Sequence, residues 1–332
     1  MHKLSHPKIQ LGHWPTPLEP MLRINAMHKG PELWVKRDDC SGLAFGGNKT
    51  RKLEYLLADA QLGGATTLLT AGGLQSNHAR QTAAAAARVG LGCELFLEDV
   101  EGVSEPDYNH SGNALLNQLL GARVHRLTAG QDLNAVMALR AQTLRASGQE
   151  PYIVPVGGSN AIGAMGYVNC GLELAQQIQV QGFSFDAIVL ATGSAGTQAG
   201  LLAGLALAGQ DIPVLGVTVS RSSGEQCQKV LALVHEVQAL LQQPKLHEDH
   251  VICFDQYYGL AYGDPTPPMI EAVRLAASLE GLFLDPVYSG KAFAGLLDLV
   301  RHGYFDISER ILFLHTGGAP ALFAYSDCLS EH

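Results

Sequence analysis

Positive charge is scarce in this chain. Its 332 residues carry 22 Lys and Arg against 31 Asp and Glu, a formal net charge of −9. That balance argues against a nucleic-acid binder or a polybasic membrane module. Charged residues of either sign make up only 16% against 47% hydrophobic, and there are 37 glycines. This composition excludes a disordered chain and suggests a compact, enzyme-like α/β protein. No apolar run reaches the length of a membrane span, and the start "MHKLSHPKIQ" has no signal-peptide core, so a cytoplasmic protein is expected. The six cysteines include no CxxC pair. That points to free thiols in a reducing compartment instead of a disulfide framework or structural zinc. No internal repeat or low-complexity linker marks a boundary, although the length allows roughly two domains.

What is present is alternation. Short β-rich runs at 66–73, 93–98, 123–127, 152–158, 187–196, 214–220 and 311–318 read as strands ending in loops. Ala/Leu-rich helical stretches lie between them. The segment "NHARQTAAAAARVG" (77–90) is a strong helix, with Ser76 as N-cap and Gly90 where a left-handed residue is wanted. Strand–helix alternation of this kind implies a mostly parallel sheet covered on both faces.

Ligands in such sheets bind beyond the carboxyl ends of strands, so three loops matter. In "GSAGTQAG" (193–200) small residues expose backbone N–H groups at a helix start, an anion cup best suited to phosphate. A dinucleotide is the competing occupant. The spacing is not GxGxxG, and "SRSS" (220–223) stands where an acidic ribose ligand would be, which leaves an NADP dehydrogenase as a weaker reading. In "AGGLQSNHARQ" (71–81), Ser76, Asn77 and His78 open the alanine-rich helix and suit a carboxylate or phenolate oxygen. In "GGNKTRKLEYLL" (46–57), apolar positions 53, 56, 57 and 60 place a helix start near Thr50, with Lys49 just before it. An ammonium is disfavoured at the positive end of a helix dipole, which would make Lys49 a nucleophile able to form a Schiff base. Taken alone, these residues fit a solvated basic turn as well or better. Together the three loops offer the parts a pyridoxal phosphate enzyme needs: a lysine, a phosphate cup and a ring-oxygen site. "HEDH" (247–250) lies in a polar stretch and reads as solvated surface, so no metal is expected.

Six motifs carry a resemblance. "SGLAFGGNKTRKLEYL", "GGLQSNHARQTAA", "VPVGGSNAIGAMGY", "ATGSAGTQAG", "LDPVYSGKAFAGL" and "HTGGAPALFAY" run in order from 41 to 325. They resemble the family of 1-aminocyclopropane-1-carboxylate deaminase and D-cysteine desulfhydrase, within the fold-type II pyridoxal phosphate enzymes. The resemblance implies an α/β fold of two open, twisted, mostly parallel sheets flanked by helices, as in the tryptophan synthase β chain. It implies a large cofactor domain (1–52 and 162–332), a small inserted domain (53–161) and a homodimer. By position, Lys49 matches the Schiff-base lysine and Lys52 does not. Asn77 matches the residue that meets the ring oxygen, and Gly193, Ser194, Ala195, Gly196 and Thr197 match the phosphate loop. Ser76, Asn77 and His78 match the substrate-carboxylate region, and Tyr288 and Tyr262 the substrate-facing tyrosines.

Two departures bear on the reaction that the resemblance implies. The deaminase pattern has Glu after the "DPVY" tyrosine and Leu in "H-x-G-G", where this chain has Ser289 and Thr316. The residue after the tyrosine is the ring-nitrogen partner, and a neutral hydroxyl there makes a weaker electron sink than a carboxylate. Opening a cyclopropane needs the stronger sink, whereas a thiol of pKa about 8.5 leaves readily. The expectation is therefore a carbon–sulfur lyase acting by β-elimination, with D-cysteine as the substrate that the resemblance implies. Lys49 would move the α-proton, Tyr288 or Tyr262 would assist the sulfur, and Ser76 would hold substrate. A sulfo-lyase releasing sulfite from L-cysteate is the alternative, the deaminase a more distant one, and an amino-acid-sensing binding protein another.

Overall fold

The computed structural model describes residues 4, 6–100 and 106–330. Among them are ten strands: β1 (Leu18–Pro20), β2 (Glu32–Arg37), β3 (Thr67–Gly73), β4 (Gly92–Glu98), β5 (Arg123–Leu127), β6 (Pro151–Ile153), β7 (Ala187–Thr192), β8 (Val214–Thr218), β9 (Val251–Phe254) and β10 (Arg310–His315). Six form one sheet in the order β1-β2-β10-β7-β8-β9, in which only β1 runs antiparallel to its neighbour. The other four form a wholly parallel sheet in the order β5-β4-β3-β6. Parallel neighbours need crossovers, which helices supply.

The helices are α1 (Leu22–Met27), α2 (Lys49–Leu62), α3 (Asn77–Val89), α4 (Gly112–Leu119), α5 (Leu133–Ala146) and α6 (Ala161–Gln181). They continue as α7 (Gly196–Leu207), α8 (Ser223–Leu240), α9 (Pro267–Glu280), α10 (Ser289–Arg301) and α11 (Ser326–Leu329). The large sheet buries one apolar cluster on each face. One packs Ile188, Leu190 and Leu312 against α6, α7 and α8, and the other packs Val189, Val217 and Phe313 against α9 and α10. Burial on both faces explains why β7, "AIVLAT", reads as a continuous apolar run without alternation.

The expected strand 123–127 has the bounds of β5. The stretch 152–158 is corrected: β6 ends at Ile153, and a short 3-10 turn follows at Val156–Gly158, with Gly157 at φ +70. Pro155 has no N–H to extend a ladder, which explains the early stop. The boundary expected at 52/53 lies inside α2, and the one at 161/162 lies in the first turn of α6. No helix among the described residues is long and apolar enough to cross a membrane.

One close approach places the helix that carries Lys49. A Cβ on Gly166 of α6 would lie 2.3 Å from the Arg51 carbonyl oxygen. Only glycine lets the α2 and α6 backbones meet there.

Candidate active site

A pocket of about 410 Å³ lies at the carboxyl ends of β7 and β10. Lys49, Asn77, residues 193–195, Thr197, Tyr288 and Thr316 line it, so segments separated by more than a hundred residues converge at one place. Lys49 is the first residue of α2 and does not precede the helix as expected. Its Nζ donates to Asn48 Oδ1 at 2.7 Å and sits 5.8 Å from the centre of the Tyr288 ring. Burial pushes its ammonium down to about 8, against the opposing pull of Asp285 and with the Arg80 charge adding to the fall. The first cause is desolvation, with no contribution from Arg51 or Lys52.

The solvated-basic-turn reading fails for all three cations. Arg51 is fully buried, and its guanidinium is forked onto Asp38 (2.8 and 2.9 Å) and Glu173 (both 2.9 Å), under the Trp14 ring. Lys52 is buried too, donating to the Gly157 carbonyl (3.0 Å) and Ser159 Oγ (3.2 Å). Burial, then the charge of Lys49, holds it well below its ordinary value. The resemblance excludes Lys52 only as the Schiff-base lysine, and spacing alone does not show that 157–159 and the 193–197 loop meet it.

The phosphate loop bears marks of a ligand. Helix α7 starts at Gly196 with Ala195 as N-cap, whose side chain makes no cap bond; the Gly196 N–H donates to Ser159 Oγ at 3.1 Å, and the following N–H groups of the first turn face the pocket loop. Ala195 has φ +78, a left-handed conformation that a residue with a Cβ adopts at a cost. A Cβ on Gly196 would lie 2.6 Å from Ser159 Oγ and 3.0 Å from Lys52 Nζ, so the missing side chain keeps the cation against the loop. Ser159 Oγ also donates to Ser194 Oγ at 2.8 Å. Asn48, passed over in the sequence, donates from Nδ2 to Thr197 Oγ1 at 2.9 Å and so ties the lysine to this loop. A helix start whose first-turn N–H groups face the loop, beside a buried ammonium, suits a dianionic phosphate. These residues fit the cofactor that the resemblance implies.

At α3, Ser76 is the N-cap, its Oγ accepting from Ala79 N at 3.1 Å, and Gly90 closes the helix at φ +74. The Ser76 hydroxyl proton stays available to an incoming oxygen. Asn77 Oδ1 accepts from Asn113 Nδ2 at 2.9 Å, which leaves Asn77 Nδ2 to the pocket. His78 is buried, with Nε2 2.8 Å from Thr70 Oγ1. Thr70 spends its proton on the Val154 carbonyl at 2.8 Å, so His78 Nε2 carries the hydrogen and Nδ1 is a bare acceptor without a partner. Burial, then the nearby Lys49 and Lys52, holds His78 well below its ordinary value, and it is neutral.

Tyr288 and Tyr262 are joined hydroxyl to hydroxyl at 2.8 Å. Burial lifts Tyr288 to about 12, and burial with the neighbouring Tyr288 lifts Tyr262 well above the ordinary phenol range. Both are phenols at neutral pH and can only supply a proton. Ser289 is buried behind the pocket, where it accepts from Asp285 N (2.8 Å) and donates to Asp285 Oδ1 (2.7 Å). Thr316 lines the pocket itself. The 247–250 segment is exposed.

The low value of Lys49 sets the pH dependence of cofactor capture. Its amine must be neutral to attack an aldehyde, so the reconstitution rate of cofactor-free protein should rise with pH and level off above about 8. Stopped-flow absorbance across that range measures it. A rate still climbing near pH 10, as for an ordinary lysine, would contradict the buried placement.

The family described as pyridoxal-phosphate dependent enzyme matches residues 9–317. A D-cysteine desulfhydrase from Salmonella newport (strain SL254) is 48% identical over 325 residues, spanning 98% of this chain and 98% of that protein. One from Salmonella schwarzengrund (strain CVM19633) is 47% identical over the same share of each. Among solved structures, a crystal structure of an ACC deaminase homologue aligns with TM-score 0.88 at 38% identity, covering 98% of this chain and 96% of that one. With the lysine and the anion cup in place, the chain belongs to the family of pyridoxal-phosphate dependent enzymes.

Proposed function

We propose that this enzyme is a D-cysteine desulfhydrase, converting D-cysteine and water to pyruvate, hydrogen sulfide and ammonia. The observation that carries the reading is the full-length similarity to D-cysteine desulfhydrases. The hydroxyl residues Ser289 and Thr316 support it, standing where the deaminase pattern has Glu and Leu. Bound in the pocket, pyridoxal phosphate supplies an electron sink for charge that develops at the substrate α-carbon.

The chain's own groups do the rest. Lys52, Thr197 and the start of α7 hold the phosphate, and Asn77 Nδ2 meets the ring oxygen. Thr316 closes the ring-nitrogen end, with Ser289 packed behind the pocket, and neither position carries a carboxylate. Ser76 and the start of α3 orient the substrate carboxylate. Lys49, neutral once released, takes the α-proton. As the Cβ–S bond breaks, the Tyr288–Tyr262 pair passes one proton to the departing hydrosulfide, which leaves as hydrogen sulfide. Phenols with raised values suit that step, because they reach it protonated.

We also place the enzyme in the cytoplasm as a homodimer, with a small unit over 53–161 set into the rest. The free thiols of Cys40, Cys93, Cys170, Cys227 and Cys253 support a reducing compartment. A substrate panel tests the function. Pyruvate from D-cysteine should exceed product from L-cysteine, D-serine, L-cysteate and aminocyclopropane carboxylate. Dominant 2-oxobutyrate from the cyclopropane, or dominant sulfite from L-cysteate, would overturn it.

A further inference from the structure

We infer that Arg80 and Asn113, neither of which lines the pocket, form a relay that fixes the polarity of the Asn77 carboxamide, so that Asn77 meets the cofactor's ring oxygen as a hydrogen-bond donor. The inference rests on the proposed role of Asn77 at that oxygen.

A carboxamide can turn over with almost no change in shape, exchanging acceptor for donor. Something must set which end of Asn77 faces the ring. Asn113 Nδ2 lies 2.9 Å from the Gln75 carbonyl oxygen, a group that only accepts. Asn113 Oδ1 lies 3.3 Å from Arg80 Nη1, a group that only donates. Both constraints give Asn113 the same orientation, and its Nδ2 therefore points to Asn77 Oδ1 at 2.9 Å. With its oxygen consumed there, Asn77 has only Nδ2 to offer. Asn113 cannot slide away, because its own N–H donates to Gln75 Oε1 at 2.8 Å. The preceding Gly112, at φ +55, fits a slot where a Cβ would lie 2.7 Å from both Gln75 Oε1 and the Pro320 carbonyl.

Arg80 is an unusual choice for this place. It is fully buried, donates to the Gly46 carbonyl at 2.8 Å, and makes no ion pair among the described residues. Its Nε has no partner among the described residues. Burying a guanidinium without a carboxylate is costly. A glutamine could make similar contacts, but it could present either end to Asn113 and would transmit no direction. A guanidinium has no acceptor atom, so its direction is unambiguous. Through Gly46 the same side chain holds the loop that leads into Lys49, so one residue sets both the lysine's approach and the polarity at the ring oxygen. Its charge adds to the low value of Lys49. A donor at the ring oxygen favours its anionic form, and an acceptor there would repel it.

The test uses the cofactor-loaded enzyme and reads absorbance and cofactor affinity as well as turnover. Asn113→Asp keeps the shape but cannot donate, so Asn77 should turn its Nδ2 to the new carboxylate and its oxygen to the ring. The long-wavelength cofactor band should give way to the near-ultraviolet one, and pyridoxal phosphate should bind about tenfold more weakly. Asn113→Ala, which removes more volume but leaves Asn77 free to donate, should perturb the spectrum less than Asn113→Asp. Arg80→Gln should fall between parent and Asn113→Asp, and it serves if the aspartate variant does not fold. Asn113→Asp within about twofold of the parent in affinity, with an unchanged band ratio, overturns the relay. So does a larger spectral change in Asn113→Ala, which would mark a packing role only. If Asn77→Ala itself leaves the bands unchanged, the reading of Asn77 fails, and the relay fails with it. None of these outcomes depends on which amino acid is the substrate.

Discussion

Replacing Lys49 with alanine is expected to lower turnover by about 10⁴-fold or more, because one side chain both anchors the cofactor and moves the substrate proton. Borohydride treatment of the parent should fix a mass adduct at Lys49 and bleach its colour, and Lys49→Ala should give neither. Lys52→Ala is the informative comparison. Lys52 is the nearer cation to the phosphate loop, lying with Ser159 against Gly196. Its loss should weaken cofactor binding while leaving turnover of the saturated enzyme much less affected. If Lys52→Ala lost the adduct and Lys49→Ala kept it, the two roles would have to be exchanged.

The second large effect falls on stability. Arg51→Met should destabilise the cofactor-loaded protein by about 3–5 kcal/mol, the range for breaking a buried pair from one side. Methionine approximates the volume, so the loss is mainly electrostatic. It strands Asp38, which is fully buried and keeps only the hydroxyls of Thr16 (2.9 Å) and Tyr167 (2.5 Å). It also leaves Glu173 with Lys36 as its remaining ion-pair partner and the Thr16 N–H at 3.1 Å. Urea unfolding followed by far-ultraviolet circular dichroism would measure the change, and a shift under about 0.5 kcal/mol would show that the network adds little. The sign with pH follows from Asp38. Burial alone would raise its carboxyl, but Arg51 and Lys36 hold it down at about 2, against an ordinary value of 3.8. Its contribution is therefore complete at neutral pH and is lost as pH falls from about 4 through about 2.

The contrast between Lys49 and its neighbours shows what a linear reading reaches. Local chemistry suffices for α3, where the Ser76 cap, the alanine run and Gly90 all act within one helix. It suffices for β5 as well. It does not reach Arg51, whose partners lie 13 and 122 positions away. Nor does it reach Lys52, which is answered by a turn 105 positions on. Strand β2 passed without notice for the same reason. Lys36 and Arg37 end its apolar run, and Lys36 is buried because Glu173 from α6 and the Thr16 carbonyl arrive to meet its ammonium. The cofactor loop was legible because glycine and small hydroxyls at a strand–helix junction have a local physical meaning. Asn48 and Arg80 were not, because each owes its importance to what folding brings beside it.

Helix α2 is buried without interruption from Lys49 to Ala58. An ordinary surface helix has a wet side on which substitutions accumulate freely, and over these ten positions this one has none. Variation that retunes the enzyme toward another amino acid must therefore come from elsewhere around the pocket. The segment carrying Tyr262 offers such room, with Leu260 almost wholly exposed. Selection can reshape what enters the pocket far more easily than it can move the lysine that waits there.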